Sequence, residues 1–430
     1  MYTSVLGSGP YIPDVSDFFL QTYYTCMCEL IQVSLSQCFI VGLNVYMCRL
    51  LIFVFLFSSW CEFLASVILA VILLIIIILL VIPSPIEPKA FSVEKAPELT
   101  GALTPNTKLR SAQRVYIGEV NGPESICVDG EHVYTGTMDG KILNIHKGKI
   151  TVLAQLGEPP CGGFEDEPTC GRPLGMRLDR NGYLVVADAY LGLFRVNVAT
   201  GDVHSLVLST QMISGTRAKF FNDLDIAQDD TIYFTDSSTK WGRRHNQIHD
   251  NYKSVEQLVS GLSFANGVQL SSNEDFLLVC ETTKYRIWKY HLQGSKRGEM
   301  EIFAENLPGL PDNIRRTPRG TYWVGLAGAR YDGKFSFLDY SADKPWLRKI
   351  ITKIVSQETL IKFVPKYGLL LELNNQGEII RSFHDPTGER VPAISEAEEK
   401  DGVVYLGSYN LPYMSKLNLH GLYNRYKNLN

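Results

Sequence analysis

The 430-residue chain has no excess of charge of one sign: 41 Lys and Arg stand against 45 Asp and Glu, a formal net charge of -4. Without a long basic run it lacks the electrostatic footprint of a nucleic-acid binder. It has no Asn-x-Ser/Thr sequon, so glycosylation gives no sign of its compartment. No small-residue cleavage pattern follows its main apolar run, which also begins too far into the chain to be a removed signal peptide. Aromatics, by contrast, are plentiful. With 22 Tyr, 20 Phe and 5 Trp, disorder over most of the length is excluded.

The apolar residues are unevenly spread. Phe63 to Ile82 is 20 residues without a charge, the length a helix needs to cross a hydrocarbon core of about 30 Å. Pro83 and Pro85 end it, and IPSPIEPK reads as an extended exit. The expected layout is a cytoplasmic tail over 1–62, an uncleaved transmembrane signal anchor over 63–82, a stalk over 83–112 and an ectodomain over 113–420. Residues 38–60 form a second candidate span, interrupted by Arg49. The flanking charges, Arg49 on one side and Lys89 and Lys95 on the other, do not orient the helix. Cys26, Cys28, Cys38 and Cys48 have no metal-site spacing and read as thiols of a tail. Cys61, at the bilayer edge, is a candidate for acylation.

After residue 112 short β-rich runs alternate with Gly, Asp and Asn turns, and a unit recurs. Its instances are VDGEHVYTGT, LDRNGYLVVADA, AQDDTIYFTDS, LSSNEDFLLVCET, TPRGTYWVGL and EKDGVVYLGS. Aligned on Gly136, Asp188, Asp236, Glu281, Gly325 and Gly407, they are spaced by 52, 48, 45, 44 and 82 residues. A four-stranded propeller blade commonly takes about 40–50 residues. The last step is one blade plus an insertion, for which the helical-looking stretch 341–363 accounts. The expected fold is all-β: a six-bladed β-propeller preceded by an N-terminal transmembrane helix. A β-sandwich does not explain the period.

In a propeller, loops from different blades meet on the axis. Glu124, Asn222, Asn266 and the Asp312-Asn313 pair each stand just ahead of a strand unit at a similar offset. Singly, such residues are ordinary turn formers. Together they make an all-oxygen set suited to a hard cation such as Ca2+.

The motifs GPESI, CGRPLG, ADAYLGLF, FNDL, YFTDSSTKW, NGVQLS, ETTKYRI, LPGLPDNIR, YWVG, PWL, SQET, FHDPTGE and DGVVYLGS run in order over residues 104–408. They resemble the animal branch of the strictosidine synthase-like family, paraoxonase-related propellers; the first 60 or so residues lie outside the resemblance. It implies a single-pass type II membrane protein whose propeller faces the ER lumen or the cell exterior. It also implies arylesterase activity, a hydrolase reaction on carboxylic esters, and one axial Ca2+ on Glu124, Asn222, Asn266, Asp312 and Asn313. Partners would be the membrane and a small aryl ester or other small hydrophobic substrate.

Three features depart from the family. Leu174 stands where paraoxonases have a histidine, and Ser395 where the plant synthases have their glutamate, with Glu396 one residue away. That step turns a strand side chain to the opposite face, so strictosidine-type condensation is not expected. The segment between Trp241 and Phe264 is short for a strand pair. Its His245 and His249 lack a third ligand and read as surface residues. Expected hydrolysis is therefore weak, with Glu124, Asp188, Asp236 or Glu281 as the base that activates water. The alternative is a non-enzymatic receptor or adhesion propeller with a structural calcium. Cys161 and Cys170 enclose a short Pro, Gly and acidic loop and read as a disulfide, which would require an oxidising compartment. Cys127 and Cys280, in strand contexts, read as buried thiols.

Overall fold

The computed structural model describes residues 45–84, 86–162, 165–213, 215–238, 255–356, 359 and 364–420. His245 and His249 lie outside them. The chain divides into two compact units, Met1–Ser84 and Pro85–Asn430.

In the first unit one helix, α1 (Val45–Val81), runs for 37 residues, roughly 55 Å at 1.5 Å per residue. Its stretch Trp60–Leu79 is long and apolar enough to cross a membrane, and no part of that stretch is buried. Residues 45–60 of the second candidate span continue the same helix without a break. No turn therefore separates two spans between 45 and 81. Residues 38–44 are outside the described part.

The second unit is a β-propeller. Blade I is β2 (Ile126–Asp129), β3 (His132–Gly136), β4 (Lys141–His146) and β5 (Lys149–Gln155). A short helix α2 (Glu167–Cys170) leads to blade II: β6 (Pro173–Leu178), β7 (Tyr183–Asp188), β8 (Gly192–Asn197) and β9 (Val203–Leu208). The hairpin β10 (Met212–Ile213) and β11 (Thr216–Arg217) precedes sheet III, β12 (Phe221–Ile226) and β13 (Ile232–Asp236). Blade IV is β14 (Ala265–Leu270), β15 (Phe276–Glu281), β16 (Arg286–His291) and β17 (Met300–Ala304). Blade V is β18 (Gly309–Arg316), β19 (Tyr322–Ala329), β20 (Gly368–Leu373) and β21 (Ile379–Asp385); helices α3 (Phe337–Ser341) and α4 (Pro345–Ile354) interrupt it. Blade VI is β22 (Glu396–Lys400), β23 (Val403–Gly407) and β24 (Met414–Asn418), completed on its outer edge by β1 (Gln113–Val115). Each blade is an antiparallel meander. The recurring units of the sequence are the second strands.

Six blades were expected, with the segment between Trp241 and Phe264 short for a strand pair; five four-stranded blades are found among the described residues, and sheet III has only β12 and β13. The segment in question lies mostly outside the described residues, and its described part, 255–264, forms no strand. A cavity of about 940 Å³ lies beside β13, walled by Leu193 and Val207 of blade II and by Leu277 and Tyr290 of blade IV.

Side chains on both faces of each sheet pack against neighbouring blades. Leu184, Val186 and Met176 of blade II join Tyr134 and Ile142 of blade I. Ile287, Val324 and Leu371 join blades IV and V. Burying such residues is worth about 1.5–3 kcal/mol each, and the ring spreads that gain evenly. The stretch read as a stalk does not stand clear of the domain. The Phe91 amide donates to the Ala342 carbonyl at 3.0 Å, and Asn306 donates to the Lys95 carbonyl at 3.0 Å. Arg330 binds the Glu94 carbonyl, and Leu99 and Leu103 pack on the apolar core of blades IV and V. These residues form a strap leading into β1.

Because β13 has no outer strand among the described residues, its outward amides lack ladder partners. Hydrogen exchange followed by mass spectrometry is expected to show β12 and β13 exchanging faster than β7 or β15. Equal protection in all three sheets would contradict this account of blade III.

Candidate metal centre on the propeller axis

Inner strands carry the site because their ladders are broken at one recurring point. The register slips between Pro173 and Met176 in β6, between Phe221 and Leu224 in β12, between Ala265 and Val268 in β14, and between Pro311 and Ile314 in β18. Each bulge frees two residues from cross-strand pairing and re-aims them. The pairs are Leu174-Gly175, Asn222-Asp223, Asn266-Gly267 and Asp312-Asn313. The two glycines are required by close approach. A Cβ on Gly175 would lie 2.5 Å from the Asp223 Cα, and one on Gly267 would lie 2.6 Å from the Asn313 Cα.

All five axial candidates are buried, none more than 5% exposed. Asn266 donates to Asp312 at 2.5 Å and to Thr282 Oγ1 at 3.2 Å. Asn313 donates to Glu124 Oε1 at 3.0 Å, and Asn222 donates to Ser237 Oγ at 2.8 Å. Every amide NH2 is thus engaged, which fixes its carbonyl oxygen. Those oxygens, Asn222 Oδ1, Asn266 Oδ1 and Asn313 Oδ1, have no hydrogen-bond partner, and neither has Glu124 Oε2. A buried acceptor without a donor costs about 1–3 kcal/mol, so four of them among five linked residues leave a large unmet demand for positive charge. Among the described residues no three His, Cys, Asp or Glu side chains form a metal-holding group. The donor set here is instead two carboxylates and three amides, all oxygen, which suits a hard cation.

Burial pushes the Glu124 carboxyl well up, and the negative charge of Asp312 adds to it. Asp312 is pushed up to about 8, first by burial and then by the carboxylates Glu396 and Asp223, against the hydrogen bond from Asn266. In both, burial disfavours the charged form in the absence of a cation.

A second layer, not foreseen in the sequence, lies next to this one. Arg315 donates to Asp223 through Nη1 at 2.7 Å and Nη2 at 2.9 Å, and its Nη2 reaches Glu396 Oε2 at 2.6 Å. Asp223 also accepts the Val268 amide at 2.9 Å, and Glu396 accepts Ser125 Oγ at 2.9 Å. One guanidinium thereby joins inner-strand residues of III, V and VI, with IV and I attached through Val268 and Ser125. The adjacent Asn-Asp and Ile-Arg pairs in FNDL and DNIR were the available signal. Asp223 stood directly beside the ligand candidate Asn222, and Arg315 two residues beyond Asn313. Tyr409, also missed, is half-buried; burial and then the Asp312 charge push its phenol up to about 12.

The strand-end acids stand elsewhere. Asp188 accepts the amides of Tyr190 at 3.0 Å and Leu191 at 2.9 Å. Asp236 accepts the Phe220 amide at 2.8 Å, and Glu281 accepts the Ser263 amide at 2.7 Å together with Arg286 and Trp288. All three accept loop amides, but Asp188 Oδ2 stays buried without a hydrogen-bond partner, and burial pushes that carboxyl up to about 6; of the four candidate bases only Glu124 is hydrogen-bonded to another axial candidate. Leu174 occupies the bulge where a histidine was looked for. His384 is buried in β21 between Tyr367 and Ser382, on the outer strand of blade V. Ser395 Oγ donates to the Glu124 carbonyl at 2.8 Å, while Glu396 is held by Arg315. Cys161 and Cys170 form the expected disulfide, Cα atoms 5.6 Å apart. Cys280 is buried and Cys127 half-buried, both as free thiols.

Radial sheets with polar bulges on the axis define a propeller of the gluconolactonase and strictosidine synthase class, and comparison with known proteins agrees. The family described as SMP-30/Gluconolactonase/LRE-like region matches residues 145–363, and the one described as Strictosidine synthase-like, N-terminal matches residues 101–145. A gluconolactonase structure from Xanthomonas campestris aligns with a TM-score of 0.50 over 79% of this chain and 99% of that one. At 16% identity this is a likeness of fold alone. Adipocyte plasma membrane-associated protein of Salmo salar is 48% identical over 356 residues, 79% of this chain and 85% of that protein. Its counterpart in Danio rerio is 48% identical over 354 residues, with the same shares covered. The chain belongs to the adipocyte plasma membrane-associated protein family.

Two outcomes follow. Arg315→Met leaves Asp223 and Glu396 as buried carboxylates without their cation and is expected to cost about 3–5 kcal/mol, read as a lower urea midpoint. An unchanged midpoint would mean the guanidinium is not the clamp. The second concerns pH. Asp312 holds its proton up to about pH 8 when folded, against about pH 4 in an unfolded chain. The cation-free fold binds the extra proton across that window, so its stability falls as pH rises from about 4 to 8. Thermal melts after chelation should show this fall. Calcium should raise the melting temperature more at pH 8 than at pH 5.

Proposed function

We propose that this chain is a membrane-anchored propeller that binds one axial Ca2+ and hydrolyses small carboxylic esters of the aryl type. The observation that carries it is the set of unpartnered buried oxygens on Glu124, Asn222, Asn266 and Asn313, beside the Asp312 carboxylate. These five residues would hold the ion. When bound, it would polarise an ester carbonyl and stabilise the oxyanion. Glu124, the one base candidate inside the site, would orient water. Tyr409 keeps its proton and can donate a hydrogen bond to the ester. With Leu174 on the axis in place of a histidine, proton transfer is poorly served and the activity should be weak. Condensation of the strictosidine type is not supported, since Glu396 is tied to Arg315 and Ser125.

The type II orientation is part of the same reading. The Cys161–Cys170 disulfide supports an oxidising side for the propeller, and α1 supplies a span of sufficient length. The relatives are described by name as plasma membrane-associated, which favours the cell surface over the ER lumen. Six blades remain the proposed design, with III incomplete among the described residues.

One observation favours a second reading. Asp236 and Glu281 are held by loop amides, Glu281 also by Arg286 and Trp288, so few groups are left for chemistry, and the ion would then serve structure alone, as in a receptor or adhesion propeller. Phenyl acetate hydrolysis by the full chain, with calcium and with a chelator, tests the two. Rates equal in both conditions would sink the metal mechanism. Asn266→Ala is expected to abolish calcium-dependent turnover. Lost turnover at an unchanged melting temperature supports catalysis, and loss of both supports a structural ion.

A further inference from the structure

The insertion in blade V presents an amphipathic helix the wrong way round for a soluble domain. In α4, PWLRKIITKI, the apolar residues Trp346, Leu347, Ile350, Ile351 and Ile354 fall on one face at helical spacing. That face would ordinarily be covered, yet no residue of the helix is buried. Trp346 is 60% exposed and Ile354 61%. Arg348, from the polar side, is the residue that turns inward. Its Nη2 donates to the Lys89 carbonyl at 2.6 Å and to the Ala342 carbonyl at 3.1 Å, and its guanidinium sits 5.0 Å above the Phe91 ring. Beside the helix, the Phe335 and Tyr340 rings lie 6.0 Å apart, tilted by 48°, and are exposed as well. The surrounding residues 334–356 carry five basic and two acidic side chains, and Lys349 is exposed.

Covalent connection says what meets this face. Arg348 grips the strap at Lys89, seven residues beyond Ile82, where the apolar run ends. Seven residues reach at most about 25 Å, so α4 cannot be far from the bilayer surface once α1 spans it. Exposed Trp, Tyr and Phe with lysine at the margin is the composition of a helix lying in a membrane interface.

We propose that α4, with Phe335 and Tyr340, docks onto the surface of the bilayer that α1 crosses. Trp346, Ile350 and Ile354 enter the boundary between headgroups and acyl chains, and Lys349 meets lipid phosphates. The inference rests on α1 being a membrane span. Docking would hold the propeller at a set height and tilt, with blade V against lipid.

The test uses the full chain in phosphatidylcholine vesicles whose acyl chains are brominated near the headgroup. The emission that Trp346→Phe removes is expected to be quenched by the brominated lipid and shielded from aqueous iodide. Emission quenched by iodide but not bromine, or by neither, would overturn the proposal in favour of water or a protein partner over this face. An unchanged melting temperature of the variant confirms its fold. Resistance to alkaline carbonate extraction tests the span separately. A chain that stays in the membrane while Trp346 is unquenched refutes docking alone, and a chain that is extracted refutes the span.

Discussion

The propeller depends on one buried cation. Arg315 neutralises Asp223 and Glu396 in the middle of a ring of inner strands, and each of those carboxylates also accepts a bond from a neighbouring blade. Sheets arranged around an axis have only their inner edges there, and the bulges turn polar side chains into a space that water would otherwise fill. Desolvating several carboxylates is costly, and a guanidinium with planar, forked donors is the side chain best able to offset it. Where Arg315 reaches, both carboxylates are paired. At Glu124, Asn222, Asn266 and Asn313 one buried acceptor each is left without a donor. The bulges supply Asn222, Asp223, Asn266, Asp312 and Asn313, while Glu124, Arg315 and Glu396 lie outside them.

Much of the ring was legible because a blade is a local unit. Its second strand repeats an apolar pattern that ends on a small or acidic residue, and the period survives insertions. The axial ligands were legible for a related reason: short polar residues at one offset in several repeats stand out against apolar surroundings. Asp223 and Arg315 were not: Asp223 directly follows a residue that already had an explanation, and an arginine near a strand end reads as solvated. Asp188, Asp236 and Glu281 looked like acids near a channel, but residue type alone does not distinguish a base from a loop cap. The incomplete third sheet was half visible, in a segment between Trp241 and Phe264 too short for a strand pair. The strap was read as a stalk because a Pro-rich exit from a membrane is ordinarily a linker. Its packing residues Val93, Leu99 and Leu103 are too sparse to signal a core contact.

The two ends of the structured chain meet in blade VI, where Gln113 pairs with Lys416 and Val115 with Met414. About 300 residues separate these partners, so the contact is among the least local the chain makes. During synthesis β1 emerges first and must wait, unpaired, while every other blade is made. Until β24 arrives the ring is an open arc with exposed inner edges, and the outermost strand of its last blade is already in place beside the strap. Any chain cut short before Met414 therefore leaves an unpaired edge available to other strands. Closure of the ring is in effect a proofreading step: blade VI gains its fourth strand only when β24 has been made.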